Sequence, residues 1–525
     1  MRPLLEFMDT YYLDSYVDSA YKKRRVWLSF EPSPACWLDF QTRVGRYIHT
    51  LTFNTSALVA SEYCLGLLNR SACHVDLPCL IELRAIVDQT AIELELATTF
   101  MQPSVERLHL EVWEPLPDVH RSRYAMRREA ELDTIRMFKF GQITPTAYPL
   151  TTFFSDIVRR MPGIKGLSFI MRDLDEMRRA WPDFLNLSTS LSHLQTLELP
   201  LRALTTAAVS SLTAHPTIRH LGARDIRKKR EVVSTEPYED LLVLQSDTVT
   251  KFEPGTLIRW ESFTITAPPT ELLSHFHVIG PLSLTLLHIN FTAVVAGPHG
   301  INVLIAAIAE TCPVLQDLKL CPITSQDVHN VTVRPNFEML EPLRQLHDLA
   351  SLEVIATHAS QFTNNQFMHL ISSWGKLTRL VLDHPDGLVP DPLEKADLSL
   401  TAVLRTCKKY CPRLQNFALY VSTDTGSPGS AVAYHIASSE KTATTSLQKV
   451  TLCLGYSPAS SAAEMARMLS QELPETCEVE FYPTYHTIHD VFDSPEHLRY
   501  WITRNRLLRQ FVKDVRLMRG SFLGY

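Results

Sequence analysis

A six-residue phrase, Leu-x-x-Leu-x-Leu, returns down almost the whole of this 525-residue chain. It reads Leu80, Leu83, Ala85 in LPCLIELRA and Leu194, Leu197, Leu199 in LSHLQTLEL. Further on it reads Leu315, Leu318, Leu320 in CPVLQDLKL, Leu377, Leu380, Leu382 in WGKLTRLVL, and Leu414, Phe417, Leu419 in CPRLQNFAL. Weaker copies occur as Ile48, Leu51, Phe53, as Val105, Leu108, Leu110, as Leu132, Ile135, Met137, and as Trp260, Phe263, Ile265. Others open at Ile164, Ile218, Leu284, Leu349 and Leu447.

The last three apolar-polar-apolar places of the phrase alternate, as a strand with one buried face requires. Between phrases the spacing becomes helical. INVLIAAIAETC puts Ile301, Leu304, Ile305 and Ile308 on one stripe, and Pro313 stops the helix. Segments 151–162, 205–216, 365–374 and 399–412 follow the same design. Each unit is thus a strand and a helical return, with an apolar face that only neighbouring units can cover. The expected fold is α/β: a leucine-rich-repeat solenoid, a horseshoe with a parallel inner sheet and outer helices. Most steps between phrases run from 24 to 37 residues, longer than the usual repeat of about 20–29.

Three regions follow from this reading: an N-terminal helical or irregular cap at 1–45, the solenoid at 46–485, and a C-terminal helical cap at 486–525. In the last of these, HLRYWITRNRLLRQFVKDVRLM (497–518) has amphipathic helical spacing that suits a cap. A small-residue stretch at 424–446 is expected to be a long loop within one repeat.

Composition narrows the function classes. The net charge of -6 gives no field favouring nucleic acid or an anionic membrane surface. No run of about 18 apolar residues occurs to span a bilayer. Acidic residues interrupt the opening MRPLLEFMDTYY, where a secretion signal needs an apolar core. The 10 scattered cysteines are read as free thiols in a reducing compartment, cytoplasmic or nuclear.

No catalytic constellation, cofactor motif or metal set emerges, and the chain is read as not an enzyme. Cys73, His74, Asp76 and Cys79 in CHVDLPC form half a metal site without a second pair. Cys407 and Cys411 stand one helical turn apart and read as core residues. His275 and His277 would share a face if HFH were a strand. Gly375-Lys376 lacks the glycine-rich turn of a phosphate loop, and no Gly-x-Ser-x-Gly elbow occurs. Two basic runs, Lys22–Arg25 and Arg227–Arg230, are expected to be solvated loops, the second inside a long insertion at 222–250.

The outward places of the strands supply the candidate binding face. They hold Glu82 and Arg84, Arg107 and His109, Thr196 and Glu198, Asp317 and Lys319, Arg379 and Val381, Asn416 and Ala418. This polar mixture lacks an aromatic stripe, so it suits a protein or peptide better than single-stranded nucleic acid.

The phrases CPVLQDLKL and CPRLQNFAL resemble the cysteine-containing class of leucine-rich repeats, in which Cys-Pro closes the helix before the strand. That class is common in F-box proteins, which recruit substrates to cullin-type ubiquitin ligases. EPSPACWLDFQTRVGRYIHTLTF (31–53) is similar to the segment joining F-box to repeats in fungal F-box-like proteins, with Trp37 and Phe40 before Arg46 and the first strand. The resemblance implies a substrate-recruiting protein of the F-box type. Residues 1–30 contain no Leu-Pro opening, so the F-box itself is missing from this sequence and a Skp1-type adaptor is implied only with an upstream F-box. The alternatives are a stand-alone repeat scaffold and an α/β enzyme whose strands imitate the repeat.

Overall fold

The computed structural model of the chain describes residues 13–18, 23–28, 34–54, 59–60, 76–88, 94, 97–113, 150–171, 174–224, 259–279, 283–292, 298–323, 335–355, 360–382, 398–421, 449–454, 473 and 477–481. The chain divides into two compact units, Met1–Val232 with Asp240–Asp247, and Val233–Glu239 with Thr248–Tyr525.

In the first unit, β1 (Leu13–Asp18) and β2 (Lys23–Leu28) form an antiparallel hairpin, extended by β4 (Val59–Ala60). A helix, α1 (Pro34–Arg43), follows the hairpin. The hairpin departs from the helical or irregular segment expected before residue 45. Tyr16, Val17, Val26 and Trp27 are β-branched or aromatic and pair across it, which favours strand over helix. The basic run Lys23–Arg25 therefore lies in a strand rather than a loop.

A second sheet of the first unit is wholly parallel. It runs β3 (Thr50–Asn54), β5 (Glu82–Asp88), β6 (Arg107–Trp113), β7 (Gly166–Met171), β8 (Thr196–Pro200) and β9 (His220–Arg224). The second unit carries β10 (Ser262–Ala267), β11 (Leu286–Thr292), β12 (Asp317–Ile323), β13 (Ser351–Val354), β14 (Arg379–Val381), β15 (Asn416–Val421), β16 (Lys449–Leu454) and β17 (Glu478–Phe481), each parallel to the next.

Register follows the phrase. The fourth places align as Leu51, Leu83, Leu108, Leu167, Leu197 and Leu221 in one unit, and as Phe263, Leu287, Leu318, Leu352, Leu380 and Phe417 in the other. All of these are buried, so each inward side chain is sheltered by the strands beside it. Full burial of one such Leu or Phe stabilises by about 1.5–3 kcal/mol. A one-residue slip would turn the whole apolar set outward, so the register is strongly specified.

The backbone repeats as regularly. At each step, two consecutive N–H groups donate to one carbonyl of the preceding coil. Gln316 and Asp317 donate to Thr285, Ala350 and Ser351 to Gln316, Thr378 and Arg379 to Ala350, and Gln415 and Asn416 to Thr378, at 2.7–3.1 Å. In the first unit the accepting carbonyls are those of His49, Ile81, Glu106, Lys165 and Gln195. The polar groups of each coil are thus satisfied by the coil before it.

Before each strand, a buried residue closes a tight turn. The carbonyls of Met161, Leu191, Cys312, Leu346, Trp374 and Cys411 accept from the N–H three residues on, the first place of the phrase. The Cys-Pro pairs are one solution to this turn. Cys312 and Cys411 complete the helix by donating to Ile308 and Cys407. Pro313 and Pro412, which lack an N–H, then end it in exposed turns.

The helices return where the spacing predicts them: α2 (Leu150–Arg160), α4 (Thr206–Thr213), α6 (Pro298–Thr311), α8 (Asn364–Ile371) and α9 (Leu400–Tyr410). Three more, α3 (Leu174–Ser190), α5 (Pro269–Ile279) and the short α7 (Phe337–Leu340), complete neighbouring coils. In the first unit α2 packs on α3, and in the second α5 packs on α6 and α8 on α9. The stripe Ile301, Leu304, Ile305 and Ile308 is buried, as its spacing requires. A capping box between Thr363 and Gln366 fixes the start of α8.

Parallel strands joined by helical returns, with the phrase repeating in a single register, make the fold an α/β leucine-rich-repeat solenoid. The phrase at Leu132 lies outside the described residues, and β6 pairs directly with β7. The segment 424–446, the expected C-terminal helix 497–518 and all of the insertion 222–250 except 222–224, which belong to β9, also lie outside the described residues.

Candidate functional site

The third and fifth places of the phrase form two outward columns on the sheet. In the first unit the third places are Glu82, Arg107, Gly166, Thr196 and His220, and the fifth places Arg84, His109, Ser168, Glu198 and Gly222. In the second unit, from β11 to β15, they are Leu286, Asp317, Ser351, Arg379 and Asn416, and His288, Lys319, Glu353, Val381 and Ala418. All twelve residues singled out for the binding face fall in these columns.

The structure brings some of them together. Arg84 Nε pairs with Glu82 Oε1 at 2.5 Å on the same strand, and Arg107 and His109 stand beside them on β6. Thr196 and Glu198 lie one strand further away, with Gly166 and Ser168 of β7 between. The Cγ of Arg107 lies 3.4 Å from where a Cβ on Gly166 would be, so the arginine stem lies against β7 at that glycine. Asn416 is level with Arg379 on the next strand.

Direction and exposure are not the same thing here. His109 occupies an outward place yet is 7% exposed, and Val381 and Ala418 are buried as well. The accessible polar face is therefore narrower than the columns suggest, and these three side chains do not add to it.

The densest cluster is centred on a residue the sequence reading passed over. Glu353, on β13, takes Lys319 Nζ on Oε1 at 2.7 Å and Arg379 Nη2 on Oε2 at 3.0 Å. Its side chain is 13% exposed, while Lys319 and Arg379 keep 32% and 44%. Burial pushes the Glu353 carboxyl up, but the bonds and charges of Lys319 and Arg379 outweigh it and hold the pKa below the ordinary value. Beside them His288 Nε2 lies 3.4 Å from Asp317 Oδ1. The signal for Glu353 and His288 was available: both stand at the fifth place of phrases opening at Leu349 and Leu284.

The other candidates fall to structural roles or outside the described residues. HFH is helical, within α5, so His275 and His277 are not on one strand face. Lys376 is engaged with Asp348. Cys407 is buried on α9 and Cys411 is buried just past its end, and burial pushes the Cys411 thiol up to about 12 and that of Cys312 to about 11. The Cys411 thiol lies 3.3 Å from the carbonyl of Trp374. Cys73 and His74 are outside the described residues, as is the Arg227–Arg230 run. Among the described residues no group of three or more His, Cys, Asp or Glu could hold a metal ion. No helix among them is long and apolar enough to cross a membrane.

No family model matches the sequence, and no curated protein matches it. Among solved structures, the leucine-rich repeat-containing protein LegL7 from Legionella pneumophila aligns with 62% of this chain and 86% of its own, at 14% identity and a TM-score of 0.26. The fold assignment rests on the strand register, not on that alignment. A leucine-rich-repeat fold with a polar outward sheet face suits a protein-interaction scaffold.

Proposed function

We propose that this chain recognises a protein partner on the outward face of its parallel strands and recruits it, in the manner of the substrate-binding half of an F-box-type ubiquitin ligase receptor. The observation that carries the reading is the register: charged and polar side chains recur at the third and fifth places of successive strands, fixed by a rigid backbone ladder. Such a face makes many weak contacts at little entropic cost, because its side chains are already positioned. Glu82, Arg84, Arg107, Thr196, Glu198, Asp317, Lys319, Arg379 and Asn416 are the residues assigned to it. The working division is a recognition array at 46–485 flanked by segments 1–45 and 486–525.

The recruiting role is supported by the Cys-Pro phrases and by the likeness of residues 31–53 to the segment that joins F-box to repeats. The free cysteines Cys79, Cys312, Cys321, Cys407, Cys411 and Cys477 fit a reducing compartment, cytoplasmic or nuclear. Affinity capture with the full chain, followed by mass spectrometry, tests both parts. A protein captured by the native chain and lost from an Arg84→Glu, Arg379→Glu variant supports recognition on this face. A Skp1-type adaptor and a cullin in the same capture support recruitment to a ligase; a partner without them leaves a scaffold. Capture that is indifferent to the variant overturns the face assignment.

A further inference from the structure

The cluster on β12–β14 has an order in depth as well as in position. Glu353 lies lowest, with one cation on each of its oxygens, and the two cations cover it. An approaching molecule therefore meets Lys319 and Arg379 first. A lysine carries three donors and an arginine five, and the bonds to Glu353 use one of each. Because Glu353 keeps its charge under the influence of these partners, it holds both cations in place without partner protein present. Lys319 and Arg379 stand on β12 and β14, two strand spacings or roughly 9.6 Å apart at the backbone, and their heads converge on the one carboxylate between them, so their spare donors form a ready acceptor-binding pair.

The geometry points to a docking site for an acidic segment of a protein partner, in which one Asp or Glu carboxylate accepts hydrogen bonds from Lys319 and Arg379 on the side opposite Glu353. This rests on the reading of the sheet face as a protein-recognition surface and specifies its chemistry there. The charge balance selects the carboxylate. Lys319, Arg379 and Glu353 together carry a single surplus positive charge, which one carboxylate neutralises. A phosphate dianion overshoots it, and Asp317, on β12 with Lys319, repels a dianion about twice as strongly as a carboxylate.

The test uses the full chain and a phage-displayed library of random dodecapeptides, then synthetic peptides followed by fluorescence anisotropy. Recovered peptides are expected to be enriched in Asp and Glu. A fluorescein-labelled Glu-Ser alternating peptide should bind about tenfold more tightly than its Gln-Ser counterpart, one charge-assisted hydrogen bond's worth. A Lys319→Ala, Arg379→Ala variant with an unchanged circular dichroism spectrum should lose that advantage. A Lys165→Ala, Lys376→Ala variant, which removes two turn lysines that lie off the sheet face, should retain it. Peptides that carry no acidic residue but still depend on sheet-face side chains overturn this inference and leave protein recognition standing. A phosphoserine peptide that outbinds its Glu counterpart also overturns it. Peptides indifferent to sheet-face changes in both units overturn the parent reading as well.

Discussion

The indole Nε1 of Trp374 donates to the carbonyl of Leu343 at 3.0 Å, and the bond is buried. Trp374 fills the turn before β14 and Leu343 lies in the short helical turn that precedes β13, so this bond ties one coil to the next. Replacing Trp374 with Phe keeps most of the apolar contact but removes one of two donors to the Leu343 carbonyl, the other being the Leu346 N–H. The expected cost is about 0.5–1.5 kcal/mol. Trp374→Ala adds a cavity and should cost about 3–5 kcal/mol. Urea denaturation of the two variants measures both; a Phe variant as stable as the native chain would mean that the hydrogen bond contributes nothing.

Glu353 makes a prediction about acid. Its folded-state pKa is held below the ordinary value, so it contributes stability above the unfolded pKa of about 4.5, and that stability is lost as pH falls through the folded value. Glu353→Gln should lower stability at neutral pH, because Lys319 and Arg379 lose their shared anion. It should also flatten the acid limb of the stability curve as pH falls below about 4.5. Urea midpoints of native and variant chains across that range decide it: parallel curves would show that Glu353 is not linked to folding.

What could be read from the sequence divides along physical lines. The phrase fixed the strands at Leu315–Leu320 or Leu194–Leu199 because a buried place has few acceptable side chains, and a column of them repeats with the coil. The helix over 298–311 was legible for the same reason. The hairpin at 13–28 was not, because two short strands away from the repeat have no column to announce them. The site was half legible. The direction of Asp317, Lys319 and Arg379 follows from the period of two, but the burial of His109 and the centrality of Glu353 depend on what neighbouring strands place beside them. The same register that identified Lys319 also contains Glu353; its importance comes from two cations converging from either side, which no single phrase encodes.

The thiols of the turn core make a third prediction. Burial holds Cys411 near 12 and Cys312 near 11, and pushes Cys407 well above its ordinary value, so at pH 8 almost none of the reactive thiolate is present at these positions. Iodoacetamide should leave all three unmodified in the native chain while it alkylates the less buried Cys79 and Cys321. All should react once the chain is unfolded in urea. Peptide mass spectrometry reads the order directly; alkylation of native Cys411 as fast as Cys79 would contradict its place in the core.

His215 is buried at the place, three residues before its phrase, that Met161, Leu191 and Cys312 hold in other coils. Its Nδ1 accepts from the Thr217 N–H at 3.3 Å, and its Nε2 is buried without a hydrogen-bond partner. Burial lowers its pKa below 6.5, against the opposing pull of the Ser188 and Leu191 carbonyls. The unfolded chain therefore binds this proton more readily than the folded one, and stability present above about pH 6.5 should decline as pH falls toward the folded pKa. His275 in α5, lowered by burial against the pull of Glu271, has the same sign. His215→Leu supplies the side chain found in sister turns and should remove part of the decline between pH 7 and pH 5. Adding His275→Leu should remove more. Urea midpoints at the two pH values test this, and an unchanged slope in the double variant would show that the loss arises at other titrating groups.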